Sequence, residues 1–291
     1  MVVAGSTPIG TIALDERFIA ALASRHTLLA WNAASRLPQA PVSPGVIEVE
    51  SIAAACDASV VLSQCSDDHS LLSTAHSPDG LLTCMRAGAI HVATGLHAPT
   101  VVEQLDVEHA RRGQRFVAAP ILLAGGEGQR LAAVVGGPSA ATAEIAPLFD
   151  AMDVSLFVAG ESAPDAMLLA AAHSSMLACA MEAIAEAFAL VRKYDVDPAV
   201  MRDVMRETLF AGSVYGEIGD AMLAGTHSGC PSVLRGLQIL DIAIAAGNSA
   251  HVPLGSIDAC RDRLLSAVAH GNGDRAWTIV SREQDRASGL E

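Results

Sequence analysis

A single apolar stretch, from Ser162 to Lys193, constrains the fold of this chain more than any other part of its sequence. It contains no glycine, and its one proline, Pro164, falls in the first turn, where a helix tolerates proline. Ser162 and Asp165 are placed to cap the amino end of a helix. At about 1.5 Å per residue that helix is roughly 45 Å long, more than one small domain covers. Because nearly every face is apolar, we expect a second domain and a partner subunit to bury it.

A membrane span is the alternative for the same stretch. Its apolar part, from Ala166 to Ala180, is shorter than the roughly 20 residues that a bilayer requires. Polar side chains at His173, Ser174 and Ser175 also interrupt it. The stretch is rich in alanine rather than in larger apolar residues. We therefore expect no membrane span.

The composition limits the other possibilities. At 291 residues the chain is long enough for two domains, and a hydrophobic fraction of 51% supports a sizeable core. The formal charge of −14 argues against nucleic acid and anionic membranes as partners. The six cysteines are scattered without a CxxC pair or Cys/His metal spacing, so we predict reduced thiols and no metal site. Since MVVAGSTPIG lacks the positive segment of a secretory signal, the expected location is the cytoplasm.

Short apolar segments alternate with helical ones throughout the first half of the chain. Strands are predicted at Thr27–Trp31, Ser59–Ser63 and Ala89–Ala93, with segments of helical period between them. That alternation predicts a doubly wound parallel sheet, an α/β Rossmann domain over residues 1–160. Residues 161–291 have helical period only, which predicts an all-α domain joined to the first by the long helix, 163–193. A helix is predicted from Val233 to Ala246, ending at Gly247, and we expect the tail from Glu283 to be disordered.

The first glycines of the chain suggest a phosphate-binding turn. The apolar run VVA precedes Gly5-Ser6-Thr7-Pro8-Ile9-Gly10, and a strand, glycine turn and helix in that order form the dinucleotide-binding fingerprint. Thr7 stands where the second glycine of the fingerprint belongs. The pattern therefore predicts a pyrophosphate site, with an ordinary turn between strand and helix as the alternative.

The end of the second predicted strand bears on the choice of cofactor. An acidic residue there would bind the ribose 2′-hydroxyl of NAD, but the chain reads Asn32-Ala33-Ala34-Ser35-Arg36. Ser35 and Arg36 are suited to a 2′-phosphate, because arginine binds phosphate through two parallel hydrogen bonds. This favours NADP over NAD, with a solvent-facing turn as the alternative.

Taken together, these motifs resemble the 6-phosphogluconate/β-hydroxyacid dehydrogenase superfamily, and within it the imine reductases. The segments that carry the resemblance are GSTPIG, WNAASR, VVLSQCSDD, HVATG, LAAVVGG, the long alanine-rich helix and HGNGDRAWTIV. The resemblance implies an NADP(H)-dependent enzyme that works as an interlocked homodimer. It also implies cofactor-binding residues: Gly5, Thr7, Pro8, Ile9 and Gly10 at the pyrophosphate, Asn32, Ser35 and Arg36 at the 2′-phosphate, and Cys65, Ser66 and Thr94 near the nicotinamide.

The chain departs from this superfamily where the catalytic group is expected. β-Hydroxyacid dehydrogenases place a lysine near the position of Leu169 or Ala170, whereas the single lysine here is Lys193. The aspartate or tyrosine of imine reductases is missing there too. The segment ILLAGG also lacks the Ser-Gly-Gly carboxylate clamp of the dehydrogenases, which favours an apolar or cationic substrate. We expect that substrate to contact Leu122, Leu169, Ala170, Tyr215 and His227.

His173, one helical turn beyond the missing acid, is the best-placed proton donor. A structural histidine in a dimer core is an equal alternative, and Tyr215 and His227 are weaker candidates. Because an iminium is already activated by its own charge, a site without a strong acid suits C=N reduction. The leading hypothesis is thus an NADPH-dependent imine reductase. The alternatives are a carbonyl or alcohol oxidoreductase of the same fold and a non-catalytic NADP-binding protein.

Overall fold

The computed structural model describes residues 7–32, 44–122, 131–208, 214–226 and 231–290. Within these ranges the amino-terminal part forms one eight-stranded sheet in the order β3-β2-β1-β4-β5-β6-β7-β8. Its strands are β1 (Ile9–Ile12), β2 (Leu28–Trp31), β3 (Val46–Glu48), β4 (Val60–Ser63), β5 (Ile90–Ala93), β6 (Arg115–Ala118), β7 (Leu131–Gly136) and β8 (Val154–Gly160).

The sheet is parallel except at one junction. The strands from β3 to β6 pair in parallel, β6 meets β7 antiparallel at Ala118 and Gly136, and β7 pairs with β8 in parallel. The chain order reverses direction between β1 and β4, so a topological switch point lies there. The predicted doubly wound α/β sheet is therefore confirmed.

Helices connect these strands and cover the sheet. They are α1 (Glu16–Ala23), α2 (Ile52–Ala55), α3 (Asp68–His76), α4 (Leu81–Cys84), α5 (Pro99–Ala110) and α6 (Ser139–Ala151). Side chains alternate between the two faces of a strand: Val60 and Leu62 of β4 belong to one apolar cluster, and Val61 belongs to another. Both faces are thus buried, as expected of a parallel sheet.

The regular elements that the structure describes in the carboxyl-terminal part are all helices. They are α7 (Ala163–Lys193), α8 (Pro198–Glu207), α9 (Val214–Ala224), α10 (Val233–Ala250), α11 (Gly255–Ala269), a short 3₁₀ helix at Trp277–Ile279 and α12 (Val280–Ala287). The chain divides into two compact units within α7, after Ala170. By length and composition α7 could cross a membrane, but half of its most apolar window is buried in the protein, as in a core helix.

Two predictions for the carboxyl-terminal part were wrong. The tail beyond Glu283 is not disordered, because Glu283 lies in α12 and is only 2% exposed. Its carboxylate accepts hydrogen bonds from Ser266 at 2.9 Å and from Arg286 at 2.8 Å, and its Oε2 lies 2.8 Å from His270 Nδ1. Gly247 does not end α10, which continues to Ala250. There, His251 closes the helix in the left-handed conformation, with φ 57°.

Candidate functional site

The turn between β1 and α1 lies later in the chain than the sequence suggests. β1 ends at Ile12 and α1 begins at Glu16. The six residues from Ala13 to Phe18, ALDERF, therefore occupy the place where a dinucleotide-binding fingerprint follows its strand and opens its helix.

The predicted pyrophosphate turn at Gly5–Gly10 was thus misplaced. Ile9 and Gly10 lie inside β1, and Thr7 and Pro8 precede it, at its amino end, whereas dinucleotides bind at the carboxyl ends of parallel strands. Gly5 is outside the described residues. Gly10 has a packing role instead: a Cβ added to it would lie 2.2 Å from the carbonyl oxygen of Ala55, so α2 packs directly on the β1 backbone.

None of the three fingerprint glycines is present in the turn that the structure shows. Ala13 takes the first position with φ 52°, a left-handed conformation that glycine adopts more easily. Asp15 takes the second, where a glycine normally lets pyrophosphate approach the backbone. Phe18 takes the third and is buried in the core of the sheet. The sequence interpretation missed this turn because it was based on the visible glycines.

The side chain of Asp15 caps α1 and carries a second interaction. Its Oδ1 accepts the Arg17 backbone N–H at 2.9 Å and the Arg17 Nε–H at 3.0 Å, and its Oδ2 accepts Nη2–H of the same guanidinium at 3.1 Å. The Asp15 backbone N–H donates to Gln64 Oε1 at 2.8 Å. The hydrogen bond from the Arg17 side chain is the main reason why the pKa of Asp15 is lowered.

A shallow cleft lies beside this turn, at the carboxyl ends of β1 to β3. Apolar side chains form most of it, and Asn32 and Glu48 add polar groups; its lining is Leu14, Ile19, Ala30, Trp31, Asn32, Glu48 and Val49. Apolar walls suit a nucleobase, and an amide with a carboxylate suits ribose hydroxyl groups. The sheet edge therefore fits the nucleoside end of a dinucleotide, whereas the adjoining turn departs from the usual pyrophosphate fit. Ser35 and Arg36 are outside the described residues.

The loops after β4 and β5 place the other predicted cofactor contacts at the same edge. Cys65 is buried, and burial raises the pKa of its thiol, which is therefore neutral. Ser66 donates to Asp67 Oδ2 at 3.1 Å. Thr94 is also buried, and its hydroxyl donates to the Ser63 carbonyl at 3.0 Å. The Thr94 hydroxyl proton is thus used within the protein.

A histidine that the sequence interpretation missed lies in the loop after β5. The side chain of His97 is fully buried, with Nδ1 3.1 Å from Asp68 Oδ1. Its Nε2 has no hydrogen-bond partner among the described residues. A Cβ added to Gly95 would lie 2.6 Å from this nitrogen, so Gly95 leaves room for the ring. A buried imidazole paired with a partly exposed carboxylate, next to a switch point, is a candidate acid–base group. The sequence signal was the histidine of the LHAP segment that follows the strand.

Two other buried histidines form a structural chain beneath this edge. Gln114 donates its amide hydrogens to the Leu82 and Met85 carbonyls, so its Oε1, 2.7 Å from His109 Nδ1, accepts from that nitrogen. His109 Nε2 then accepts from His91 Nδ1–H at 3.0 Å, and His91 Nε2 accepts from the Ser63 hydroxyl at 2.8 Å. Both rings must be neutral for this chain. Burial lowers the pKa of His91 well below its usual value and that of His109 to about 4.

The predicted catalytic and substrate residues lie in several places. His173 is on an exposed face of α7, where partial burial lowers the pKa of its ring. Leu169 is exposed, whereas Ala170 is 1% exposed and its side chain packs inside the protein. Leu122 and Tyr215, in the first and second unit respectively, are half-buried. His227 is outside the described residues.

Comparisons with known proteins agree with this architecture. Residues 17–160 match the NAD binding domain of 6-phosphogluconate dehydrogenase, and residues 168–282 match the NAD-binding region of NADP-dependent 3-hydroxyisobutyrate dehydrogenase. The chain therefore belongs to the 6-phosphogluconate/3-hydroxyisobutyrate dehydrogenase superfamily and is an oxidoreductase of the NAD(P)-dependent kind. The first match begins at Arg17, after β1 and most of its turn.

Individual relatives are distant. An uncharacterized oxidoreductase of Bacillus subtilis, YfjR, is 27% identical over 232 residues, which are 78% of this chain and 80% of that protein. The crystal structure of 3-hydroxyisobutyrate dehydrogenase from Salmonella typhimurium has a TM-score of 0.80 at 17% identity and covers 95% of this chain and 99% of its own. An imine reductase from a Pseudomonas species has a TM-score of 0.61 at 16% identity and covers 96% and 99%. The predicted superfamily is confirmed, and imine reductases share the fold.

Proposed function

We propose that this protein is an NADPH-dependent reductase of a C=N bond, acting on an apolar cyclic imine or iminium. The observation that carries the proposal is the early part of α7. Leu169 presents an alkyl side chain there, Ala170 is buried, and Lys193 is the last residue of the helix. Neither position early in α7 can supply a proton, and an iminium is the substrate class that needs this least, because its own charge activates it.

The dinucleotide, when bound, supplies the hydride. The protein's part is to position it: the cleft with Asn32 and Glu48 receives the nucleoside, and the loops with Cys65, Ser66 and Thr94 border the reacting end. The NADP preference depends on Ser35 and Arg36. Glu48 favours the competing choice, NAD, because its carboxylate suits a ribose hydroxyl and repels a 2′-phosphate.

Reduction of a carbonyl, or oxidation of an alcohol, is the second candidate. The His97–Asp68 pair favours it. A carbonyl needs a proton donor, and the Asp68 carboxylate orients the His97 ring as in a catalytic acid–base pair. The high structural similarity to 3-hydroxyisobutyrate dehydrogenase favours it as well. In the imine reductase hypothesis His173 remains the proposed donor.

We further propose that the protein works in the cytoplasm as a homodimer assembled on α7. Large apolar side chains are exposed along this helix in the single chain, with Leu169, Met176 and Leu190 separated by multiples of seven residues. Exposure of this kind on one helix is typical of a surface that another chain covers. Light scattering should give a molar mass of twice the chain mass for the wild type. For Met176→Glu it should give the mass of a single chain. The described cysteines are all free thiols, in keeping with the cytoplasm.

The decisive experiment is a fluorescence titration with NADPH and NADH, repeated with a pyrroline and with a matched cyclic ketone. Saturable NADPH binding and loss of reduced cofactor with the pyrroline alone support the imine reductase. Faster turnover of the ketone, abolished in His97→Asn but not in His173→Ala, supports the carbonyl oxidoreductase. Binding without any turnover supports the non-catalytic alternative.

A further inference from the structure

The amino end of α1 is where a dinucleotide's pyrophosphate binds in this class of fold. The free N–H groups of the first helical turn point at the phosphates, and the helix dipole favours their negative charge. One of these donors is the Arg17 N–H. In this structure Asp15 Oδ1 accepts it at 2.9 Å, so a carboxylate of the chain itself takes the position that a phosphate oxygen needs.

Asp15 has further contacts in this position. The Arg17 guanidinium contacts both of its oxygens, and the Gln64 side chain accepts the Asp15 backbone N–H. These contacts fix the turn from two sides, through its own helix and through the end of β4. A phosphate can reach the Arg17 amide only after the carboxylate has moved away.

We infer that the Asp15 carboxylate occupies the position at the Arg17 amide where a pyrophosphate would bind, called the seat below. It thereby limits how tightly this protein binds dinucleotides. The inference rests on the proposed function and concerns the same site. A pyrophosphate that enters meets a carboxylate rather than a glycine hydrogen, and it competes for an amide and a guanidinium that are already paired. Binding energy must then come mainly from the nucleoside end, in the cleft with Asn32 and Glu48.

Two substitutions distinguish the effect of the Asp15 side-chain oxygen at the Arg17 amide from the effect of its negative charge. Asp15→Gly opens the Arg17 amide and removes the charge, and glycine is a tolerated N-cap residue. Asp15→Asn removes the charge but keeps a side-chain oxygen that can cap the helix. Asp197→Gly is the matched control, because Asp197 caps α8 in the same way, accepting the backbone N–H two residues on, from Ala199, at 2.9 Å.

The experiment is a titration of these proteins with NADH and with NADPH, followed by displacement with inorganic pyrophosphate. Asp15→Gly should bind both dinucleotides at least about tenfold more tightly than the wild type, a gain of about 1.4 kcal/mol. Asp15→Asn should gain less, and Asp197→Gly should not change. When the dinucleotide is held at the same multiple of each protein's own Kd, pyrophosphate should displace it from Asp15→Gly at a lower concentration than from the wild type.

The possible failures are distinguishable. If wild type and Asp15→Gly bind dinucleotides equally, the inference is overturned and the proposed function stands. If no variant binds either dinucleotide, while circular dichroism shows that all are folded, the proposed function is overturned with it. An equal gain in Asp197→Gly would also overturn the inference, because the effect would then not belong to the seat.

Discussion

Two turns at the same edge of the sheet are capped by aspartate, but in different ways. Asp67, before α3, accepts the Ser70 N–H at 2.7 Å, and its own N–H donates to the Ser70 hydroxyl at 3.2 Å, a reciprocal capping box. Asp15, before α1, relies on an arginine and on Gln64 instead. The first cap is completed by Ser70 of its own helix and by the neighbouring Ser66. The second fills a position that a ligand would otherwise use, so it bears on binding as well as on stability.

The two turns also stand on different supports. The turn after β1 depends on the direct contact between Gly10 and the Ala55 backbone. The turn after β4 begins beyond Ser63, which is the first member of the chain that runs through His91 and His109 to Gln114. Substitutions in each support, and then in each cap, test whether the two turns are as independent as their contacts imply.

The largest effect is expected from Gly10→Ala. Its Cβ would lie 2.2 Å from a backbone oxygen of Ala55, and no side-chain movement can relieve that overlap. We expect a loss of about 3 kcal/mol in the free energy of unfolding, or failure to fold, measured by urea denaturation. Gly255→Ala is the control, because nothing lies within 4 Å of its added Cβ, and it should be neutral. Equal stability of the two variants would refute the packing argument for β1.

The stability contributed by the hydrogen-bonded histidines next to the second turn should depend on pH. His109 is neutral in the folded protein because burial lowers its pKa to about 4, whereas the unfolded chain binds a proton near pH 6.5. Its contribution is therefore complete above about pH 6.5 and is lost as the pH falls towards 4, up to about 3 kcal/mol in total. His109→Gln should flatten this part of the stability profile. Parallel profiles for wild type and His109→Gln would exclude the assignment.

Substitutions of the two capping aspartates should affect stability and dinucleotide affinity differently. Asp67→Ala should cost about 1 kcal/mol of stability, since it removes a side-chain cap, and should change the affinity for NADPH less than Asp15→Gly does. Asp15→Gly should do the reverse, with a few tenths of a kcal/mol lost and the affinity raised. Thermal denaturation and the fluorescence titration measure the two quantities on the same samples. A matching change of affinity in Asp67→Ala would show that the two turns are coupled.

The smallest effect is expected from Ala13→Gly, which restores the first glycine of the turn. At φ 52° the alanine is strained, so glycine should stabilise the protein by at most about 1 kcal/mol, part of which the more flexible unfolded chain cancels. Ala143→Gly, on an exposed and helical position of α6, should lose about 1 kcal/mol instead. A loss in both variants would show that the turn tolerates alanine without strain.

The sequence predicts the sheet well, because the alternation of short apolar strands and helices is a periodic signal spread over many residues. Single positions carry less information. The turn was predicted at Gly5 and Gly10 because they are the glycines near the amino terminus. The segment ALDERF, where the turn lies, contains no glycine that could mark it. Gly247 predicts a helix end, but α10 continues past it, and a Cβ added to this glycine would lie 2.5 Å from Leu254 Cδ1.

Polar residues that become buried were also hard to predict. The tail around Glu283 has the composition of a solvated segment, and only its tertiary partners reveal that it is packed. His97 is similar, since its burial and its contact with Asp68 depend on two loops that lie far apart in the sequence. Among the site residues predicted from motifs, those that directly follow a strand, such as Asn32, Cys65 and Thr94, lie at the carboxyl ends of the strands.

The hydrogen-bonded chain below the sheet gives the folded protein a spectroscopic marker. Its direction requires both His91 and His109 to carry their proton on Nδ1, and both are shielded from solvent. Each ring should therefore give a slowly exchanging imidazole proton signal in a nuclear magnetic resonance spectrum. Because α5 supplies His109 and β5 supplies His91, the pair of signals reports whether this helix and this strand are docked, independently of any ligand.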